Sequence, residues 1–265
     1  MATKITINAA FEEARRQHRA ALIPYITAGF PSLDHLAPLV QALEAGGADL
    51  IEIGVPFSDP LADGPILQHA ATEALASGVK VQHILDRVAA LDVAVPLVFL
   101  TYVNPIYRRG IERFIRDSRE AGIQGLIVPD WPWVEMQGMQ KMARQHEMAM
   151  IPFVAPTSTD AHLDAIREAD GFVYTVSVTG VTGTRATLDQ GVRPLIARIR
   201  EHVTLPVAVG FGISTPDQAR ETASTADGVI VGSALVKIIG DHRDNPVGAA
   251  ERFVSSLREA LEKTK

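Results

Sequence analysis

Eight short apolar runs recur along the chain, and a stretch with helical spacing follows each of them. The runs are Ala21–Thr27, Leu50–Gly54, Leu97–Thr101, Gly125–Val128, Ala149–Val154, Phe172–Ser177, Pro206–Val209 and Gly228–Val231. Short continuous runs of Val, Ile and Leu suit strands buried on both faces. The segments between them are predicted helices, such as Asp34–Ala45, Ile66–Ala76, Ile111–Ala121, Glu135–His146 and Pro216–Ala223. Strands alternating with helices mean βαβ units and a parallel sheet. Eight such units within 265 residues predict an α/β fold, a closed (β/α)8 TIM barrel. A helix over Asn8–Arg19, with Asn8 as its N-cap, precedes the first strand as an extra element. The competing architecture is an open doubly wound sheet. Its G-x-G-x-x-G turn after the first strand is absent. No stretch rich in Pro, Gly or Ser divides the chain, so residues 1–265 are expected to form a single domain.

Charge and composition remove several function classes. The net charge is −6, and the 25 Lys and Arg are scattered; the small clusters Arg15-Arg16 with Arg19 and Arg108-Arg109 are expected on the surface. No nucleic-acid footprint results. With no cysteine there is no disulfide, thiolate metal site or cysteine nucleophile. The N-terminal residues lack the apolar core of a signal peptide, and no run reaches the roughly 18 apolar residues of a membrane span. A cytoplasmic protein that engages neither membrane nor nucleic acid is expected.

The most informative stretch is DLIEIGVPFSDPLADGP, residues 49–65. Glu52 interrupts the second apolar run, and the following loop carries Asp59 and Asp63. An ionised carboxylate is rarely buried without a partner, because removing it from water is expensive. Side chains alternate along a strand, so Leu50, Glu52 and Gly54 share one face. Facing the outer helices, Glu52 would meet hydrocarbon; facing inward, it would reach the barrel interior. Asp63 lies in a loop that must return over the C-terminal mouth, where barrels of this type carry their working residues. Asp59 is expected to shape the Ser58-Asp59-Pro60 turn by accepting backbone hydrogen bonds.

Glycine-rich segments follow the last three strands: Gly180–Gly183, Gly210–Gly212 and Gly232-Ser233, the last opening a helix. Together they predict a phosphate site made of main-chain N–H groups and a helix N-terminus. Arg185 is a further candidate there. None of the six lysines lies in a predicted strand or at its end, which argues against Schiff-base chemistry. The eight histidines do not cluster as a ligand set, so no metal is expected. What is left is carboxylate acid–base chemistry on a small phosphorylated substrate. Tyr25, Thr27, Tyr102, Asn104 and Tyr174 lie in or near strand ends, and Leu100, Phe153 and Phe211 could complete a pocket for a flat ring.

YITAGFP (25–31), IEIGVPFSDPLADGP (51–65), GVTG (180–183), GFGIS (210–214) and GSALVKII (232–239), in this order, resemble the tryptophan synthase alpha chain family. The resemblance implies a barrel that cleaves indole-3-glycerol phosphate by retro-aldol chemistry to indole and glyceraldehyde 3-phosphate. It implies Glu52 and Asp63 as catalytic residues, and Gly183, Gly212, Gly232 and Ser233 as phosphate-binding positions. Thr182 matches the family's lid threonine, and Tyr174 an indole-side tyrosine. Tyr25, Thr27 and Tyr102 are the remaining candidates for substrate contact. No cofactor is expected in this chain. The implied partner is a beta chain carrying pyridoxal phosphate, in an alpha2-beta2 heterotetramer docked at the barrel mouth near Asp59, Pro60 and Asn104. Trp131-Pro132-Trp133 departs from the family's usual smaller residues, and the two indoles either anchor that partner or cover the barrel. A stand-alone lyase, a non-catalytic phosphate-binding barrel and another phosphosugar enzyme of similar build are the alternatives.

Overall fold

The computed structural model describes residues 5–176, 188–210 and 212–262. Its first strand, β1 (Ala21–Thr27), is buried at every position, as a strand covered on both faces must be. β2 (Ile51–Gly54), β3 (Leu97–Leu100) and β4 (Ile123–Ile127) add to one edge of it. β9 (Gly228–Val231), β8 (Val207–Gly210) and β7 (Val173–Val176) add to the other. Every pairing is parallel.

The fifth predicted strand is divided. β5 (Ala149–Met150) pairs with β4, and β6 (Phe153–Val154) pairs with β7. Between them Ile151 donates its N–H to Leu126 at 2.9 Å, and Pro152 accepts from Tyr174 at 2.9 Å. One stretch of chain therefore bonds both neighbours and closes the barrel. Pro152 has no N–H to give, which explains why the ladder breaks there.

The helices form the outer layer. α1 (Ile7–Arg16) precedes β1, and Thr6, not Asn8, caps it by accepting from the N–H of Ala9. α2 (Leu36–Ala45) follows a 3-10 turn, Leu33–His35. After β2 come α3 (Pro65–Ala76) and α4 (Val81–Ala89). A helix that the sequence reading did not anticipate, α5 (Val103–Arg109), stands before α6 (Ile111–Ala121). α7 (Gln137–Gln145), α8 (Asp160–Ala165), α9 (Leu188–His202), α10 (Pro216–Ala223), α11 (Ser233–Asp241) and α12 (Pro246–Glu262) complete the layer among the described residues.

At the opposite end from the strand termini, Arg19 is buried rather than exposed as expected. Its guanidinium grips Asp49 through two bonds of 2.6 and 2.7 Å, and Asp49 also accepts the N–H of Leu22 at 2.8 Å. This bidentate pair fixes the entries of β1 and β2 relative to each other. The register that follows sets Tyr25 beside Glu52 and Thr27 beside Gly54.

Candidate active site

Glu52 is completely buried, and neither carboxylate oxygen has a hydrogen-bond partner among the described residues. It lies on the wall of a cavity of about 460 Å³, and so do Tyr25, Asp63 and Tyr174. The inward placement expected from strand alternation is the one observed. Burial pushes the Glu52 carboxyl up to about 8, with the Asp63 charge as the second cause. Asp63 is itself pushed up to about 6 by burial, against the opposing effect of a hydrogen bond from Tyr102. At neutral pH the pair holds close to one proton, carried by Glu52, while Asp63 is largely ionised.

The loop after β2 delivers Asp63 to this position through several contacts. The N–H of Asp63 donates to Pro60 at 3.0 Å, and its carbonyl accepts from Gln68 at 2.9 Å. Tyr102, at the end of β3, receives the N–H of Ala62 at 3.2 Å on its hydroxyl oxygen and bonds the Asp63 carboxylate. The Tyr102 ring stacks on Phe57 with 5.4 Å between centroids. Tyr102 thus contacts the loop after β2 instead of lining the cavity. Asp59 is exposed and takes the Ser58 hydroxyl at 2.6 Å, a side-chain contact in place of the anticipated backbone ones.

Two glycines make room for two tyrosines. A Cβ on Gly54 would stand 2.0 Å from the Tyr25 hydroxyl, and one on Gly210 would stand 2.9 Å from that of Tyr174. Tyr25 and Tyr174 therefore lie across the ends of the neighbouring strands. The Tyr25 hydroxyl pairs with that of Thr27 at 3.2 Å, so Thr27 supports Tyr25 and is not on the cavity wall. Burial raises both phenols well above their ordinary value, which keeps them neutral donors. Tyr174 stacks on Phe153 at 5.3 Å between centroids, and Phe153 and Leu100 supply apolar wall, as expected for a flat-ring pocket.

Gly212, Gly232 and Ser233 line the cavity on the side of β8 and β9. Gly212 has φ +78°, a left-handed backbone that glycine adopts without strain. Just beyond it, a capping box fixes the loop: Thr215 accepts from the N–H of Gln218, and the Gln218 side chain accepts the N–H of Thr215. Gly232 caps α11 without a side-chain hydrogen bond, so the helix opens bare main chain towards the cavity. Thr182, Gly183, Arg185 and Phe211 lie outside the described residues.

The sequence profile described as Tryptophan synthase alpha chain matches residues 11–265. The chain belongs to the tryptophan synthase alpha chain family. The Microcystis aeruginosa alpha chain is 46% identical over 257 residues, covering 95% of this chain and 97% of that protein. The Arabidopsis thaliana alpha chain is 42% identical over 263 residues, covering 97% and 96%. A solved structure of Mycobacterium tuberculosis tryptophan synthase superposes with a TM-score of 0.89 at 37% identity, covering 99% of both chains. An alpha chain structure from Legionella pneumophila gives 0.87 at 33%, covering 97% of both. As a tryptophan synthase alpha chain the protein is a lyase subunit of tryptophan biosynthesis. Among its described residues no group of three or more His, Cys, Asp or Glu is placed to hold a metal ion, and no helix is long and apolar enough to cross a membrane.

Tyr102 as a holder of Asp63 escaped the sequence reading, because no local pattern links it to a loop some forty residues earlier. The two tryptophans part company. Trp133 is buried and donates its indole N–H to Ala165 at 3.0 Å, so it covers the barrel. Trp131 is half-buried against Tyr107, 5.3 Å between centroids, and Tyr107 is 56% exposed.

Proposed function

We propose that this chain cleaves indole-3-glycerol phosphate to indole and glyceraldehyde 3-phosphate. Glu52 is the acid and then the base; Asp63 stabilises the charge that develops on the indole. The observation that carries the proposal is the fully buried, unpartnered Glu52 facing Asp63 across a cavity whose far side is bare main chain.

The chemistry follows from the protonation state. Indole C3 leaves poorly as a carbanion, so it must first be protonated. Protonated Glu52 gives its proton to C3 and becomes a carboxylate. Positive charge then develops on the indole N–H, which donates to ionised Asp63. The Glu52 carboxylate next removes the proton of the glycerol hydroxyl next to C3. The C–C bond breaks, its electrons return to the ring, an aldehyde forms, and Glu52 regains its proton. One group that both gives and takes a proton works best with a pKa near the operating pH. Tyr25, Tyr174, Phe153 and Leu100 enclose the ring, while Gly183, Gly212, Gly232 and Ser233 hold the phosphate.

The partner in this proposal is a tryptophan synthase beta chain, in an alpha2-beta2 assembly. Pyridoxal phosphate belongs to that partner; residues of this chain take no part in holding it. Exposed Leu61 in the loop after β2, and Tyr107 packed on Trp131, suit such a contact, since large apolar side chains left exposed favour a partner. A stand-alone lyase releasing free indole is the second reading, favoured only by a site whose catalytic groups all come from this chain.

Incubating the full chain with indole-3-glycerol phosphate and measuring indole, with and without a beta chain, tests both. Indole release that rises with the beta chain supports the subunit reading. Release that ignores it supports the stand-alone enzyme. No release under either condition refutes the lyase.

A further inference from the structure

We infer that Lys237 is a phosphate-binding residue of this site: its ammonium group turns from Asp241 onto the substrate phosphate. The inference rests on the phosphorylated-substrate reading above and adds a cation to a cradle otherwise made of main chain.

Three observations carry it. Only three charged side chains line the central cavity among the described residues, and they are Glu52, Asp63 and Lys237. A phosphate monoester brings about −1.5 to −2 charges at neutral pH into a cavity that already holds ionised Asp63. Among the described residues, Lys237 is the one cationic group on the wall that can offset that charge. Second, Lys237 stands four residues after Ser233 on α11, which puts both on one helix face one turn apart, at the end of the cavity bounded by Gly232. Third, Lys237 is free to turn. Its partner Asp241 is on its own helix, the pair is exposed at 59% and 54%, and exposed i,i+4 pairs are held weakly.

A neighbouring cation makes the contrast. Arg243 lines an adjoining groove of about 340 Å³ that shares Ile66 and Lys237 with the central cavity. It is locked by two bonds to Glu73, 2.5 and 2.7 Å, and lies over the Phe30 ring at 4.6 Å. It also donates from Nε to the Gly240 carbonyl at 3.2 Å, and it cannot reach a ligand without breaking these contacts. Lys237 stands where the groove meets the cavity and gives up one exposed contact to gain a dianion. A lysine suits this role as a point charge on a flexible stem.

The test uses the full chain and Lys237→Met, with Lys237→Arg as the conservative control. Inorganic phosphate binding is measured by titration, and cleavage of indole-3-glycerol phosphate is measured at several ionic strengths. Lys237→Met is expected to raise KM and weaken phosphate binding roughly tenfold, the range of one lost charge-assisted hydrogen bond. Its kcat should stay within about twofold, its dependence of kcat/KM on salt should flatten, and Lys237→Arg should recover most of the affinity. Phosphate affinity within twofold of the parent, with unchanged salt dependence, would overturn the inference. Titration reads Lys237 directly, so a parent chain that bound phosphate but released no indole would refute the lyase and leave this inference standing on the binding data.

Discussion

The charge of Asp63 strengthens the hold of Glu52 on its proton, although the two residues reach the cavity from different elements, a strand and the loop after it. Burial alone would raise both carboxyls; their proximity separates their roles. Glu52 is kept protonated at neutral pH and Asp63 stays largely ionised. In the proposed reaction this difference makes one carboxyl the acid and the other the electrostatic stabiliser.

Glu52→Gln removes the proton carrier but keeps the shape. Turnover should fall by about 10²–10⁴-fold, the usual contribution of a general acid–base group, while substrate affinity is retained. Steady-state cleavage of indole-3-glycerol phosphate, with binding measured separately, checks it. Near-normal turnover removes Glu52 from the mechanism.

The same carboxyls make stability depend on pH. The folded-state value of Glu52 is raised from 4.5 to about 8, and that of Asp63 from 3.8 to about 6. Between those limits the unfolded chain has ionised each group and the folded chain has not, so the folded state binds more protons. Stability therefore falls as pH rises, from about 4 to 6 for Asp63 and from about 4.5 to 8 for Glu52. The slope from each group cannot exceed about 1.4 kcal/mol per pH unit. Glu52→Gln should melt at a higher temperature than the parent at pH 8 and close to it at pH 4.5. Parallel melting curves at the two pH values would contradict the burial of an ionisable group here.

Tyr102→Phe deletes the hydroxyl that bonds Asp63 and receives the N–H of Ala62. That bond holds the Asp63 carboxyl below the value burial alone would give it. Without it, the acid limb of the kcat/KM profile should move to higher pH, and kcat should drop by about five- to tenfold, in keeping with one lost hydrogen bond. A pH–rate profile distinguishes this from simple loosening of the fold, which would leave the limb in place.

Gly54→Ala sets a methyl 2.0 Å from the Tyr25 hydroxyl at the cavity wall. Overpacking of this kind costs about 1–3 kcal/mol and should displace the ring from the substrate pocket. Thermal denaturation should record the loss, and Tyr25→Leu in the same chain should recover part of it. A Gly54→Ala protein as stable as the parent would mean that the ring has another place to go.

Trp133 and Trp131 should behave differently. Trp133→Ala empties a buried site and abandons the bond to Ala165, a loss of about 3–5 kcal/mol in stability. Trp131→Ala with Tyr107→Ala strips an aromatic pair of which Trp131 is half-buried and Tyr107 exposed, so stability should fall less than in Trp133→Ala while beta-chain affinity falls at least tenfold. Unaltered affinity in a titration with the beta chain would take this pair out of the interface.

The barrel was legible because its strands are buried on both faces and so announce themselves as unbroken apolar runs. Glu52 was legible for the converse reason, as a carboxylate where hydrocarbon belongs. Other features had no local signature. α5 hides behind Asn104-Pro105, which reads as a turn, although proline is tolerated in the first turn of a helix. The division of the fifth strand depends on which neighbour each residue bonds, so only the closed barrel reveals it. Lys237 reaches the cavity from the second turn of a helix, away from the strand ends that a strand pattern points to. Arg19 looked like part of a surface cluster because its partner Asp49 comes thirty positions later.

The divided strand gives the closed ring a zipper with a missing tooth. Across Ile151 and Pro152 the circle is stitched by one bond to each side, whereas β1 pairs with β9 over Ala21–Pro24 and with β2 over Tyr25–Thr27, leaving no gap in its ladder. When the molecule breathes, the rim should part at this suture first. Amide hydrogens of Met150, Ile151 and Phe153 should then trade with solvent sooner than those of Leu22, Ile23 and Ile26.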